Sequence, residues 1–230
     1  MKHQLRSILV LRILLIIGAI SIFIACERAE NRFELKPGDI LFQDLDCGPF
    51  CESIETVTPG INGAELSHCG IVIMENKQLK VIEAGGKGVV ITDMDSFLTR
   101  ARDGRFKPKV LVGRVKGWSE NKLQQAISIS KTYLGKPYDH LFDLENDSLY
   151  CSELVYYSYL ENDKPIFETQ PMTFKDPKTH ELFPLWVDYY KEMNQPIPEG
   201  ELGLNPGGIT LSDKIEIVHV YGYPENYMPE

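Results

Sequence analysis

Two neighbouring stretches of alternating apolar residues constrain the fold of this chain more than any other feature of its sequence. Residues 67–74 (SHCGIVIM) and 79–84 (LKVIEA) are rich in β-branched residues and are joined by the polar stretch 75–78 (ENKQ). This pattern predicts a β-hairpin with one face turned to a core.

Strand alternation assigns the polar residues of this hairpin to faces. Cys69 is predicted to point into the core, whereas His68 and Gly70 point to the opposite face. Glu83 on the partner strand can then meet His68, either directly or diagonally. Gly70 would leave room above the sheet beside His68. A satisfied core histidine and a solvated strand carboxylate are the alternative interpretations of this pair.

A second constraint is the stretch 147–160, which begins with DSLYCSEL and predicts a helix with Cys151 in its first turn. The helix dipole and the unpaired N–H groups there favour a thiolate, which is the nucleophilic form of cysteine. The alternative is a small buried apolar residue. The apolar stripe of the helix comprises Tyr150, Leu154 and Tyr157, and its candidate capping residues are Asn146, Asp147 and Ser148.

The connection between the first predicted strand (39–43) and the hairpin is long. Residues 44–66 are rich in Gly, Pro, Asp and Asn and are predicted to be a loop that crosses a site. Its two cysteines, Cys47 and Cys51, form a small disulfide or remain free thiols. A metal site shared with His68 and Cys69 is disfavoured by the Cys-x3-Cys spacing, so no metal is expected.

The other elements complete an α+β pattern. Strands are predicted at 89–92, 109–115 and 214–221, and helices at 93–102, 120–133 and 182–193. In helix 120–133, Ser119 is the predicted N-cap and Leu123, Ile127 and Leu134 are the predicted buried stripe. The aromatic tail residues Phe183, Trp186, Tyr189 and Tyr190 are assigned to ordinary core packing rather than to a groove.

Length and charge limit the function. A chain of 230 residues fits one well-cored domain, predicted over 35–230. The net charge is −9, and residues 1–26 contribute three basic and no acidic residues, so the remainder carries −12. Such an acidic surface disfavours nucleic-acid binding. The sequence contains no Gly-rich phosphate loop and no HExxH motif, and no cofactor is expected.

Residues 1–26 have the pattern of an export segment. The apolar run 13–25 would span about 20 Å as a helix, less than the roughly 30 Å of a hydrocarbon core, and basic residues precede it. Cys26 after a small residue resembles a bacterial lipoprotein signal, although Phe23 replaces the usual Leu. We expect a lipid anchor at Cys26 and a polar tether at 27–34. An uncleaved anchor and a plain cleaved signal are the alternatives, and all three export the protein.

Several short motifs in order resemble the YiiX-like enzymes, which are circularly permuted relatives of the NlpC-type papain-like hydrolases. These motifs are KPGDILF, SHCGIVI, VIEA, YLGKPYD and YCSELV, and they lie between residues 35 and 160. The resemblance implies an α+β permuted papain-like fold with Cys151 as nucleophile, His68 as base and Glu83 as the group that orients the imidazole. A more distant resemblance is to lecithin retinol acyltransferase and its phospholipase relatives.

The expected function follows from this resemblance and from the thiol chemistry. His68 would take the thiol proton, and Cys151 would attack a carbonyl to form an acyl-thioester. The Cys151 N–H would hold the oxyanion together with a second donor, either Tyr138 or the loop at Asp46 and Cys47. We expect an exported hydrolase of amide or peptide bonds, with cell-wall peptides as candidate substrates. A lipid-directed thioesterase or acyltransferase and a non-catalytic binding domain of the same fold are the alternatives.

Overall fold

The computed structural model describes residues 33–229. The predicted signal segment (1–26), its lipidation residue Cys26 and most of the tether (27–34) lie outside these described residues. From Leu35 onward the described residues form one compact unit. Within the described range, no helix is long and apolar enough to span a bilayer.

The central element is a six-stranded antiparallel sheet whose strand order is β10-β5-β1-β2-β3-β4. Its strands are β1 (Ile40–Gln43), β2 (His68–Glu75), β3 (Gln78–Gly85), β4 (Gly88–Asp93), β5 (Val110–Val115) and β10 (Ile215–Val220). The predicted hairpin is therefore confirmed as β2 and β3, and it occupies one half of the sheet. Two small pairs, β6 (Leu160–Glu161) with β7 (Lys164–Pro165) and β8 (Gln170–Pro171) with β9 (Leu202–Gly203), lie outside this sheet.

Helices bury one face of the sheet. They are α1 (Pro49–Val57), α2 (Met94–Leu98), α3 (Glu120–Thr132), α4 (Cys151–Ser158), α5 (Pro184–Glu192) and α6 (Pro206–Thr210). The main core joins alternate residues of β1, β2 and β3 to Leu154 and Val155 of α4, all of them buried. Cys69 belongs to this core, as strand alternation predicts. The pleat of the sheet therefore determines which side chains α4 can contact.

The connection at 44–66 differs from its prediction as an extended loop. It contains helix α1 and a short 3₁₀ turn at Ile61–Gly63. Pro49 occupies the first turn of α1, where its missing N–H costs nothing. Cys47 and Cys51 form a disulfide across the start of the helix. The Gly- and Pro-rich composition therefore marks the ends of a helix rather than an irregular loop.

Two helix predictions also need correction. The helix predicted at 93–102 ends at Leu98, and the following residues include Arg102, which bridges to Pro108. In α3, Ser119 is the N-cap as predicted, since its side chain accepts a hydrogen bond from the Lys122 N–H. Leu134 lies beyond the end of α3 and is 42% exposed, so it does not belong to the buried stripe.

The C-terminal segment forms a second core against the first half of the chain. Phe174, Trp186 and Tyr190 are its buried centre, and Phe50 and Ile54 of α1 pack against them. Trp186 contacts Phe50 and Phe174 with ring centroids 5.2 Å apart in both cases. Residues 161–230, whose role the sequence leaves open, thus pack on the helix that carries the disulfide.

Candidate active site

Cys151 is the first residue of α4 and is 5% exposed. The predicted capping residues do not cap this helix, because its N-cap residue is Tyr150. The Asn146 side chain accepts from the Ser148 N–H within the preceding loop. Instead, Glu153 in the first turn accepts a hydrogen bond from the Tyr150 N–H at 3.2 Å. The early N–H groups of a helix have no intrahelical partner, so the Cys151 N–H is a candidate oxyanion donor.

His68 and Glu83 meet as the hairpin predicts. The strand register pairs Ile71 with Ile82, which makes His68 and Glu83 diagonal neighbours on one face. The His68 Nε2 lies 2.6 Å from the Glu83 Oε2, and both side chains are buried. A Cβ on Gly70 would lie 2.5 Å from the Val81 Cγ1, so the room expected above Gly70 is filled by neighbouring side chains.

Glu83 has two further partners that the sequence analysis missed. The Thr92 hydroxyl donates to Oε1 at 2.5 Å, and the Arg100 guanidinium binds both carboxylate oxygens. Arg100 also lies over the Phe97 ring, 5.1 Å from its centroid. A bidentate Arg–carboxylate pair fixes the carboxylate in one orientation, which fixes the imidazole in turn. These contacts exclude the interpretation of Glu83 as a solvated strand carboxylate.

The electrostatics of His68, Glu83 and Cys151 favour an ion pair between the His68 imidazolium and the Cys151 thiolate. Burial lowers the pKa of His68, but hydrogen bonds with Cys151 and Glu83 outweigh it and raise the pKa to about 9. Burial raises the pKa of Glu83, but hydrogen bonds from His68 and Arg100 lower it to about 2. A hydrogen bond from Cys69 lowers the pKa of Cys151 well below its ordinary value; burial opposes this effect and His68 adds to it. Since Nε2 is bound to Glu83, Nδ1 is the ring nitrogen left for the thiol.

Of the candidates for the second oxyanion donor, one lies at the groove that contains Cys151 and two do not. Tyr138 lines the same groove as Cys151, and burial raises the pKa of its hydroxyl well above the ordinary value, so it stays a donor. Asp46 is exposed and pairs with the Lys109 Nζ at 2.5 Å. The Cys47 N–H donates to the Leu45 carbonyl, and its sulfur is in the disulfide. The structure therefore brings Tyr138 to the site and does not bring Asp46 or Cys47 there.

A groove with a volume of about 110 Å³ opens beside Cys151. Its walls come from α1, from the segment that precedes α4 and from the C-terminal segment. No Asp, Glu, Lys, Arg or His is among the described residues that line it. Its apolar lining residues include Tyr138, Phe142, Met172, Phe174, Trp186 and Leu204. Trp186 thus lines the groove and also packs in the second core, so the assignment of this residue to core packing alone is incomplete.

His140, the weaker candidate base, lies outside this arrangement. The Tyr189 hydroxyl lies 3.5 Å from the exposed His140 Nδ1, and His140 does not line the groove that contains Cys151. Among residues 33–229, no group of three or more His, Cys, Asp or Glu side chains is placed to hold a metal ion.

An antiparallel sheet with a buried histidine–carboxylate pair, next to a helix that begins at a buried cysteine, defines a papain-like thiol site. The model of one family, described as permuted papain-like amidase enzymes (YaeF/YiiX, C92), matches residues 34–219. This chain therefore belongs to that family.

Two relatives illustrate the similarity. Over 125 residues the chain is 33% identical to the uncharacterized protein YiiX of Escherichia coli K12, a match that covers 54% of this chain and 57% of that protein. The crystal structure of a protein described as metalloprotein YiiX from Escherichia coli O157:H7 is 28% identical, with a TM-score of 0.67. That match covers 84% of this chain and 100% of the other. The permuted papain-like fold is thereby confirmed.

Proposed function

We propose that this protein is a cysteine hydrolase of amide bonds with Cys151 as nucleophile, His68 as acid and base, and Glu83 as the orienting carboxylate. The buried pair of His68 and Glu83, 2.6 Å apart, carries this proposal, and the raised pKa of His68 and lowered pKa of Cys151 support it. The family's description as amidases supports the choice of amides. The arrangement matches the requirements for nucleophilic catalysis by an activated thiol.

The proposed reaction gives each of these groups a role. The Cys151 thiolate attacks the carbonyl carbon, and the oxyanion accepts hydrogen bonds from the Cys151 N–H and the Tyr138 hydroxyl. The intermediate collapses to an acyl-thioester as the C–N bond breaks, and the His68 imidazolium gives its proton to the leaving amine. Neutral His68 then takes a proton from water, whose oxygen attacks the thioester. Cys151 leaves as the thiolate and His68 is again an imidazolium. Glu83, held by Arg100, stabilises the imidazolium in both half-reactions.

Alkylation of individual cysteines tests this proposal. Residues 27–230 are treated with iodoacetamide across pH, and Cys69 and Cys151 are followed separately by mass spectrometry. We expect Cys151 to react selectively, with an apparent pKa well below the ~8.5 of a free thiol. His68→Ala should raise that pKa towards the ordinary value, whereas His140→Ala is the matched control and should not. A Cys151 that reacts only in the unfolded protein would favour the non-catalytic binding domain.

The groove favours a second candidate, a thioesterase or acyltransferase that acts on apolar acyl groups. A cell-wall peptide carries carboxylates and amines, and a groove lined by no Asp, Glu, Lys or Arg among the described residues offers them no opposite charge. An uncharged acyl chain instead gains about 0.8 kcal/mol for each CH₂ that it buries. This candidate shares Cys151, His68 and Glu83 with the first and differs only in the substrate.

Matched substrates separate the two candidates. Acetyl, octanoyl and dodecanoyl amides and thioesters are compared with a peptide amide that has a free carboxylate. For the acyl candidate, we expect kcat/KM to rise with chain length. Met172→Glu should lower kcat/KM for octanoyl substrates by at least about tenfold, because it places a carboxylate against the chain. Met74→Glu makes the same change at a position 45% exposed on β2 and should have no effect.

The protein is further proposed to be exported and held to the membrane by a lipid at Cys26. The sequence of residues 1–26 supports this location. The disulfide between Cys47 and Cys51 also supports it, since disulfides persist in oxidising compartments. Labelling of cells with a palmitate analogue should mark the wild-type protein and leave Cys26→Ser unmarked. Equal labelling of both would contradict the anchor.

A further inference from the structure

A basic loop on this acidic protein carries an exposed phenyl ring. The loop joins α2 to β5 and comprises residues 99–109 (TRARDGRFKPK), with five basic residues and one acidic residue in a chain whose net charge is −9. The Phe106 side chain is 79% exposed, the largest fraction of any large apolar side chain among the described residues. Positive charge and apolar surface thus occur together in one short segment.

Hydrogen bonds within the basic loop fix its shape. The Asp103 N–H donates to the Lys107 carbonyl, and the Phe106 N–H donates to the Asp103 carbonyl, both at 2.8 Å. The Asp103 side chain is only 10% exposed, and its carboxylate accepts hydrogen bonds from the N–H groups of Arg105 and Lys107. The Arg102 guanidinium donates to the Phe106 carbonyl at 2.8 Å. The loop is therefore an ordered turn that holds the Phe106 ring outward.

Neither the backbone nor the packing at position 106 favours phenylalanine. The φ angle of Phe106 is 61°, in the left-handed region that bulky residues rarely adopt. Because the ring is mostly exposed, packing among the described residues does little to offset this strain. A large exposed apolar side chain in such a position favours a contact outside the folded unit.

The charges around the ring determine what kind of surface would accept it. Arg100 and Lys109, near the two ends of the basic loop, form ion pairs with acidic residues elsewhere in the chain. Arg102, Arg105 and Lys107 are exposed. Three exposed cations therefore surround the ring, and the one carboxylate of the loop faces inward. This part of the surface is positive although the chain as a whole is negative, so it is complementary to an anionic surface.

We propose that the basic loop docks on an anionic phospholipid bilayer, with the Phe106 ring among the acyl chains and the three exposed cations against the lipid phosphates. A bilayer offers both environments in one surface, and basic residues beside an apolar side chain are typical of interfacial binding. This inference goes beyond the proposed hydrolase and depends on neither Cys151 nor a lipid at Cys26. With such a lipid, the tether at 27–34 would keep the folded unit within about 28 Å of the membrane.

Co-sedimentation with vesicles tests this proposal. Residues 27–230 contain the whole compact unit and are mixed with vesicles of phosphatidylcholine, with or without an equal part of phosphatidylglycerol. We expect binding only to the anionic vesicles, and less binding in high salt. Phe106→Asn, which suits the left-handed backbone, should lower the partition coefficient at least about tenfold, and Lys107→Gln about fivefold. Leu211→Asn removes another apolar side chain, 62% exposed, and is the matched control that should not change binding.

Insertion of the ring is tested separately with Phe106→Trp. Lipids brominated in the acyl chains should quench its added fluorescence and should not quench that of Leu211→Trp. No binding to anionic vesicles, equal binding by Phe106→Asn, or unquenched fluorescence would overturn the proposal. Self-association without lipid that Phe106→Asn abolishes would overturn it in favour of a second copy of the chain. Alkylation of Cys151 should be the same in Phe106→Asn and the wild type, so a failure of docking leaves the proposed hydrolase in place.

Discussion

Replacement of Glu83 by glutamine tests the charge arrangement of the whole site. The substitution keeps the side-chain shape and removes the negative charge between His68 and Arg100. The pKa of Glu83 falls from 4.5 to about 2 on folding, a difference of about 2.5 units. At about 1.4 kcal/mol per unit, the ionised carboxylate contributes about 3 kcal/mol to the free energy of unfolding. The raised pKa of His68 reflects the same contact, so the two shifts are not added.

The sign of the pH dependence follows from the lowered pKa. The contribution of Glu83 is fully present above pH 4.5, and it is lost as the pH falls towards 2. We therefore expect Glu83→Gln to lower the free energy of unfolding by about 3 kcal/mol at pH 7, with a smaller difference at pH 3.5. Urea denaturation at both pH values measures this. Glu75→Gln, which loses a half-exposed pair with Lys80, is the matched control and should cost under about 1 kcal/mol.

The same variant should change the reactivity of Cys151. The imidazolium of His68 persists up to about pH 9 because Cys151 and Glu83 both stabilise it. Without the Glu83 charge, we expect the apparent pKa of the alkaline limb of Cys151 alkylation to fall by about one unit. If Glu83→Gln were as stable as the wild type at pH 7 and its alkaline limb did not move, the proposed charge arrangement would be refuted. If the variant lost stability but the reactivity of Cys151 did not change, Glu83 would have only a structural role.

Two further predictions concern the helices beside the site. The disulfide between Cys47 and Cys51 closes a loop of about five residues, so its removal in the double Cys→Ser variant should cost about 2 kcal/mol in urea denaturation; an unchanged midpoint would contradict this. Burial raises the pKa of Glu153 to about 8, and its Oε1 has no partner among the described residues. The contribution of protonated Glu153 to the free energy of unfolding is present below pH 4.5 and is lost as the pH rises through 8. Between pH 5 and 8, the free energy of unfolding of Glu153→Gln should therefore rise relative to that of the wild type by up to about 1.4 kcal/mol per pH unit. Parallel stability curves would count against a buried protonated Glu153.

The sequence predicts the parts of the site that follow from local periodicity. Alternation on β2 and β3 places His68 and Glu83 on one face, and the structure confirms that they meet. The stretch around Cys151 predicts a helix, and α4 begins at that residue. In each case one strand or helix pattern is enough, because side-chain direction follows from the backbone period.

The missed features depend on contacts between distant segments. Arg100 reaches Glu83 only because the chain leaves α2 at Leu98, two residues before it. The groove forms where Met172 and Leu204, on either side of α5, approach the start of α4. No local sequence pattern predicts these approaches. At α1 the composition gives the wrong prediction of a loop, because glycine and proline there mark helix ends. Cys69 is correctly predicted as a core residue, but its proximity to Cys151 depends on how α4 packs on the sheet.

A buried site with this many ionisable groups is stable only if each charge has an opposite neighbour. Here the charges alternate along one line, from Arg100 to Glu83, from Glu83 to His68, and from His68 to Cys151. The line ends towards solvent at Arg100, whose side chain is 33% exposed, so its charge needs little further compensation. At the other end, the Cys151 sulfur has His68 as its charged neighbour and the neutral Ser152 hydroxyl 3.8 Å away. The position with the least opposite charge around it is thus Cys151, the proposed nucleophile, which is where a reactive negative charge is needed.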